Sequence, residues 1–285
     1  MFREDLLKDQ TIVVTGGGSG LGKSMATRYA ELGANVVIAS RNIEKIEAAA
    51  EEMRQATNGE VFGVQVDVRS HEACEAMVAK IVEKYGAVHG LLNNAAGNFL
   101  CPSEDLTVGG YEAVVGIVMT GSFNATQTVG RQMIAQGQGG SILSILTTYV
   151  YTGSAFVLPS AMAKAGVLAM TKSLAVEWGS AYGIRCNAIA PGPFPTDGAW
   201  KRLVPDTAME DEIKKRIPLK RFGEHRELAN LAVFLMSNEA AYVNGECVVI
   251  DGGEWLQGAG EMNRFVEYDR DNVKQMLAAM RPKKS

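Results

Sequence analysis

A short β-branched run, Thr11-Ile12-Val13-Val14-Thr15, leads straight into Gly16-Gly17-Gly18-Ser19-Gly20-Leu21-Gly22, and no other stretch of the chain limits its fold so sharply. Continuous apolar β-branched residues suit a strand buried on both faces, and glycines permit the tight turn out of it. Leu21, Met25, Tyr29 and Leu32 then recur at helical spacing, the pattern ends near Gly33, and Asn35-Val36-Val37-Ile38-Ala39 follows as a second strand. Strand, helix, strand in this order makes a βαβ unit, whose parallel pairing requires helices over the sheet. A glycine loop at the end of such a first strand also lets the backbone approach a pyrophosphate, which the amino end of the helix attracts. Gly16, Gly20 and Gly22 supply the GxxxGxG spacing, with Ser19 and Leu21 between them, and these five are expected dinucleotide contacts. A flexible turn is the plainer alternative, and the strand-to-helix setting weighs against it.

The alternation continues along the chain. Helices are expected over about 43–56, 71–84, 111–136 and 160–180, and strands over 61–66, 88–92, 141–146 and 184–189. One more helix is marked by Leu228, Leu231, Ala232 and Leu235, and a last strand covers 246–250. The series packs economically only as a doubly wound (Rossmann) α/β domain with a mainly parallel seven-stranded sheet and helices on both faces. With 285 residues, 47% of them hydrophobic, one domain is expected: a core over about 8–253, a substrate lid over 192–223 and a tail over 254–285.

Net charge of -4 leaves no basic footprint for nucleic acid or for an anionic membrane, so neither is an expected partner. Four scattered cysteines and three histidines form no disulfide framework or metal motif. No apolar run nears the roughly 18 residues of a membrane span. Acidic residues precede any apolar run at the amino end, and the chain ends in Lys-Lys-Ser instead of Ser-Lys-Leu, so a cytoplasmic location is expected.

Where the second strand ends, an acid would hydrogen-bond the ribose of NAD. Ser40 and Arg41 stand there instead. A guanidinium offers charge-assisted bonds to a 2′-phosphate, which favours NADPH; if Arg41 merely faces solvent, either cofactor fits.

The stretch Leu146 to Lys164 reads as strand end, loop and helix, with the phenols of Tyr149 and Tyr151 in the loop and Ser160 and Lys164 four apart on the helix. With the glycine loop and Asn93-Asn94-Ala95-Ala96-Gly97, it makes the chain resemble the short-chain dehydrogenase/reductase family over roughly residues 8 to 253. In that family the helix carries Tyr-x-x-x-Lys. Here Ser160 takes the tyrosine position, and a displaced tyrosine with Ser and Lys on the helix is similar to the 2,4-dienoyl-CoA reductases within the family. The resemblance implies that Lys164 holds the nicotinamide ribose and lowers the pKa of the acid, and that Tyr149, with Tyr151 as competitor, supplies the proton. Ser160 becomes a hydrogen-bond donor, and Thr147, thirteen residues before it, stands in for the family's catalytic serine.

The same resemblance assigns Asp67 to the adenine amino group, with Val68 beside it, and Asn94, Ala95 and Gly97 to cofactor contacts and strand stabilisation. It places Pro191, Gly192 and Phe194, with Thr196 beyond, behind the nicotinamide, and Asn98 and Phe99 along the acyl channel. Thr120 stands where the family usually has Asn, whose amide it cannot supply; it can bond its own helix four residues back and bend it, and either the proton relay is altered or Thr120 positions an oxygen directly. Lys201, Arg202, Lys214, Lys215, Arg216, Lys220 and Arg221 cluster in the lid, where cations could meet the phosphates of coenzyme A. The implied activity is NADPH-dependent reduction of a 2,4-dienoyl-CoA thioester to a 3-enoyl-CoA, a step of unsaturated fatty acid β-oxidation, by a homotetramer. A carbonyl or 2-enoyl-CoA reductase of the same fold, or an NADP-binding protein without chemistry, are the alternatives.

Overall fold

In the computed structural model, which describes residues 2–196, 200 and 207–281, β1 (Thr11–Thr15) is an interior strand, third in the order of a seven-stranded sheet. Every residue of β1 is buried: Ile12 and Val14 face one core and Val13 the other, the two-sided burial that a continuous apolar run demands. The other strands are β2 (Asn35–Ser40), β3 (Val61–Gln65), β4 (Gly90–Asn93), β5 (Gly140–Ile145), β6 (Ile184–Pro191) and β7 (Cys247–Ile250). Their spatial order is β3-β2-β1-β4-β5-β6-β7 and all pairs are parallel. The winding reverses between β1 and β4, with Val13 opposite Val37 on one side and Leu91 on the other. Open α/β sheets bind ligands at the carboxyl ends of the strands beside this reversal.

One face of the sheet is covered by α1 (Gly20–Glu31), α2 (Ile43–Thr57) and α9 (His225–Met236), through Met25, Tyr29, Ile46, Met53, Leu228 and Leu235. The other face takes α3 (His71–Tyr85), α5 (Gly121–Gln136) and α7 (Leu158–Tyr182), through Met77, Ile81, Val129, Met133 and Ala175. Among the described residues the remaining α-helices are α4 (Val108–Val115), α6 (Tyr149–Thr152), α8 (Thr207–Arg216), α10 (Glu254–Ala259) and α11 (Arg270–Ala279).

Three boundaries depart from the sequence reading for local reasons. The middle helix begins at Val108 because the Thr107 hydroxyl accepts from Gly110 N (3.1 Å) and caps it. It is also not continuous: a π turn over Gly116–Thr120 separates α4 from α5, where the helix passes so close to the chain at Val68 that a Cβ on Gly121 would lie 2.5 Å from the valine side chain. The strand β4 starts at Gly90, not Val88, because Gln136 takes both backbone groups of Val88, each at 2.9 Å. The tail, for which the sequence suggested no elements, contains α10 and α11.

Candidate active site

The glycine loop is shaped by what cannot fit there. Gly16 and Gly20 have φ of 66° and 53°, the left-handed region that favours glycine. A Cβ on Gly22 would fall on the side-chain nitrogen of Asn94 and 2.5 Å from the Gly16 carbonyl oxygen. That amide donates to the carbonyls of Thr15 (3.0 Å) and Gly16 (3.2 Å), tying β4 to the loop. Sequence reasoning missed Thr15, whose hydroxyl accepts from the backbone of Asn94 (3.0 Å) and Ala95 (3.1 Å) and donates to the Leu92 carbonyl at 3.3 Å. Its only signal was a hydroxyl at the last position of a buried strand. Ser19 takes the N-cap position of α1, Leu21 follows in its first turn, and Thr196 packs over Gly20. The cradle therefore has bare backbone, positive-φ turns and a helix amino end, and it fits a dinucleotide pyrophosphate.

At the end of β2, Arg41 is exposed and its carbonyl accepts from Gln65. Asp67 lies near enough for Arg41 to help hold its carboxyl below the usual range, though the main cause is the fork of bonds from Arg69 at 2.5 to 3.0 Å. Val68 is buried, and Asn124, another residue the sequence reading passed over, donates to its carbonyl at 2.9 Å. Across the sheet, Pro191 ends β6 and Gly192 passes so close to Asp251 that a Cβ would lie 2.5 Å from the aspartate Cβ. The ring of Phe194 is buried in the core against Gly223, so only its backbone can face a cofactor.

Thr147, Tyr149, Ser160 and Lys164 converge beyond β5. The intervening segment is not all loop: Tyr149 opens the one-turn helix α6, and its hydroxyl lies 2.7 Å from Ser160 Oγ on α7. Pro159 in the first turn of α7 lets that helix start at Leu158, so Ser160 sits well inside it and is buried. Burial raises the pKa of Tyr149, and hydrogen bonds with Ser160 and Thr147 pull the other way. Lys164 is buried, its ammonium donates to the Ile145 carbonyl, and desolvation pushes its pKa down to about 8. Desolvation dominates at Tyr149, and the groups that oppose it are the hydroxyls of Ser160 and Thr147. The competing phenol points elsewhere. Tyr151 stacks on Trp255 (centroids 4.9 Å apart, planes 9° from parallel), and desolvation raises its pKa, with the Cys247 thiol nearby adding to the rise.

Three expected substrate contacts lie at the margin. Asn98 is exposed, and its side-chain oxygen accepts from Phe99 N (3.0 Å). The Phe99 ring lies over Gly110 at the start of α4, while Gly97 lies near Ile117 of the π turn. Thr120 is exposed on that turn, and the hydroxyls that bond four residues back belong to Ser122 (2.6 Å) and Thr128 (2.9 Å) instead. The lid cations are also not free to the extent expected. Lys214, Lys215 and Arg221 pair with Asp211, Glu212 and Glu227, Arg216 approaches Glu254 at 4.0 Å, and Lys220 donates to the Lys215 carbonyl; Lys201 and Arg202 lie outside the described residues.

The family model described as enoyl-(acyl carrier protein) reductase matches residues 16–254. The chain belongs to the short-chain dehydrogenase/reductase family. It is 46% identical, over 88% of its length and 98% of the relative's, to a probable 2,4-dienoyl-CoA reductase [(2E)-enoyl-CoA-producing] of Bacillus subtilis. It is 39% identical, over 93% of its length and 88% of the relative's, to a peroxisomal 2,4-dienoyl-CoA reductase [(3E)-enoyl-CoA-producing] of Danio rerio. A solved short chain dehydrogenase from Bacillus anthracis superposes with a TM-score of 0.80 at 46% identity, covering 87% of this chain and 97% of that one. The protein is therefore an oxidoreductase of a family that uses a nicotinamide cofactor, and its sheet is the expected seven-stranded doubly wound one. No helix among the described residues is long and apolar enough to cross a membrane.

Proposed function

We propose that this protein uses NADPH to reduce a 2,4-dienoyl-CoA to a 3-enoyl-CoA. The observation that carries the reading is the phenol of Tyr149 held 2.7 Å from Ser160, on a turn that reaches over from β5 to the place where the family's tyrosine would stand. A phenol on this turn approaches the substrate from a different direction than one rooted on α7, which suits proton delivery to carbon. The names of the two relatives, both dienoyl-CoA reductases, support the same substrate class.

The backbone of Gly16 to Gly22 would hold the cofactor pyrophosphate, and Arg41 the 2′-phosphate, with no acid at that strand end to favour a free hydroxyl. Asp67 and Val68 would meet the adenine, Ala95 and Gly97 would line the cofactor cleft, and Pro191, Gly192 and the backbone of Phe194 would back the nicotinamide. Asn94 acts through the loop it stitches. When bound, NADPH supplies the hydride. Lys164 would bond the nicotinamide ribose. A phenol is protonated at neutral pH, as an acid must be, and burial favours that form at Tyr149. As it donates to the dienolate, the hydroxyls of Ser160 and Thr147 take up the charge developing on its oxygen. Asn98 and Phe99 would border the acyl chain of the coenzyme A thioester, with Thr120 nearby. Exposed Met119 and Phe123 on the middle helix, and Met162 and Val176 on α7, support a homotetramer packed through these helices.

A second reading concerns the product only, and the printed name of the Bacillus subtilis relative favours it: a 2-enoyl-CoA, with the acid above C4 instead of C2. Both readings are tested by NADPH oxidation with 2,4-hexadienoyl-CoA, a trans-2-enoyl-CoA and a 3-oxoacyl-CoA side by side, using deuterated NADPH and locating the label by NMR. Turnover of the diene, deuterium at C5 and a 3-enoyl product are expected. A directly formed 2-enoyl product moves the acid, and turnover of the 3-oxoacyl thioester alone makes the enzyme a carbonyl reductase.

A further inference from the structure

The turn that carries Tyr149 is poorly supported by its own backbone. It comprises four residues, has no side-chain cap at its start, and ends at Gly153 with φ of 72°. Its hydrogen bonds run from Val150 to Thr147 (3.3 Å), Tyr151 to Thr148 (3.1 Å) and Gly153 to Tyr149 (2.9 Å). An isolated turn of this length is unstable without packing, yet a proton donor must be held to within about 0.5 Å. Val150 contributes by packing against the cluster of Leu146, Val167 and Leu168. Tyr149 is tied to α7 through Ser160 at 2.7 Å, and the other side-chain hold is on Tyr151, whose ring lies flat on the indole of Trp255.

Trp255 is itself fixed. Asp251, directly after β7, accepts from Trp255 N and Gly253 N, each at 2.8 Å, and its Cβ is wedged against Gly192. A chain of contacts thus runs from the Pro191-Gly192 segment through Asp251 and Trp255 to Tyr151, two residues from Tyr149. Trp255 falls just past residue 254, the last that the family model matches.

We propose that Trp255 is a positioning residue: its stack on Tyr151 sets the α6 turn and thereby aims the phenol of Tyr149. The inference rests on the reading of Tyr149 as the acid. Displacement of a reacting group by about 1 Å from a remote change can cost as much as 100-fold, so Trp255→Ala should lower kcat by about 10- to 100-fold while NADPH Kd stays within about twofold. Trp255→Phe, which keeps an aromatic face, should recover most of the rate. The decisive arm is the Tyr149→Phe background, where adding Trp255→Ala should change kcat by less than about twofold, because the residue it aims has already lost its proton. If Trp255→Ala does not fold, Tyr151→Leu removes the same stack from the other side and should behave identically. Wild-type kcat in the variant that breaks the stack, or the same loss with and without the Tyr149 hydroxyl, overturns the proposal. Tyr149→Phe alone separates the two claims: full activity there removes the acid assignment and this inference together, whereas a slow Tyr149→Phe with a normal Trp255→Ala removes the inference only.

Discussion

The glycine loop after β1 and the helical turn after β5 lie beyond the carboxyl ends of strands two apart in the sheet, and they are built by opposite means. The loop is made of backbone: positive φ at Gly16 and Gly20, no room for a Cβ at Gly22, carbonyls of Thr15 and Gly16 that accept from the Asn94 amide, and a Thr15 hydroxyl that accepts from the backbone of Asn94. The turn is held by side chains brought from afar: Ser160 from α7 and Trp255 from the tail. A site of the first kind tolerates little change in shape and much change in side-chain chemistry around it. A site of the second kind depends on a few functional groups and on the packing that aims them.

The largest expected effect falls on the side-chain site. Tyr149→Phe should reduce kcat by about 10² to 10⁴ with NADPH binding unchanged, while Tyr151→Phe, which keeps the ring against Trp255, should be mild. Reversed results in steady-state kinetics would transfer the acid role to Tyr151.

The backbone site is probed by adding one carbon. Gly22→Ala should destabilise the fold by about 1 to 3 kcal/mol, lowering Tm and weakening NADPH, because the clash is with a carbonyl oxygen and an amide that is already engaged. Gly18→Ala meets only the flexible end of Ile46 at 2.9 Å and should be close to neutral. Equal Tm values for the two variants would remove the claim that the loop is shaped by excluded volume.

Cofactor choice should lie in one exposed group. Arg41→Ala should raise the Kd of NADPH by about ten- to a hundredfold and leave NADH nearly unchanged. Equal weakening of both in fluorescence titrations would give Arg41 a role in the fold instead.

Lys164 links the two regions through the ribose, and its burial gives a pH signature. Desolvation pushes the pKa of the buried ammonium down to about 8, and the proposed ribose contact is stronger from the protonated form. NADPH affinity should therefore be flat below pH 8 and weaken above it, by at most about tenfold per pH unit. Lys164→Met should flatten the profile, and a flat profile in the unaltered enzyme would show that the contact does not depend on the charge of Lys164. The smallest effect is expected at the lid, where Lys214→Ala and Lys215→Ala should change KM for the thioester by less than about twofold, since each charge is already paired at the surface.

The alternation of strands and helices was legible because it rests on periodicities that packing reinforces, and all seven strands lie where apolar or β-branched runs placed them. The errors cluster where one distant partner changes a local preference. Gln136 takes the backbone of Val88 out of the strand, Val68 presses on the helix where the π turn forms, and Trp255 draws Tyr151 away from the pocket. The lid cations meet partners three residues away on α8 or on other elements, pairings that depend on helix geometry and tertiary contact.

By itself, the sequence determined the doubly wound sheet, the glycine cradle and the candidates for proton transfer, because each depends on residue type at short spacing. Only the tertiary structure decided which phenol meets Ser160, how far Lys164 is desolvated, and what the residues after 253 do. Those are matters of contact between segments from eleven to more than a hundred residues apart, and a hydrogen bond or a buried charge is fixed by what lies beside it in space.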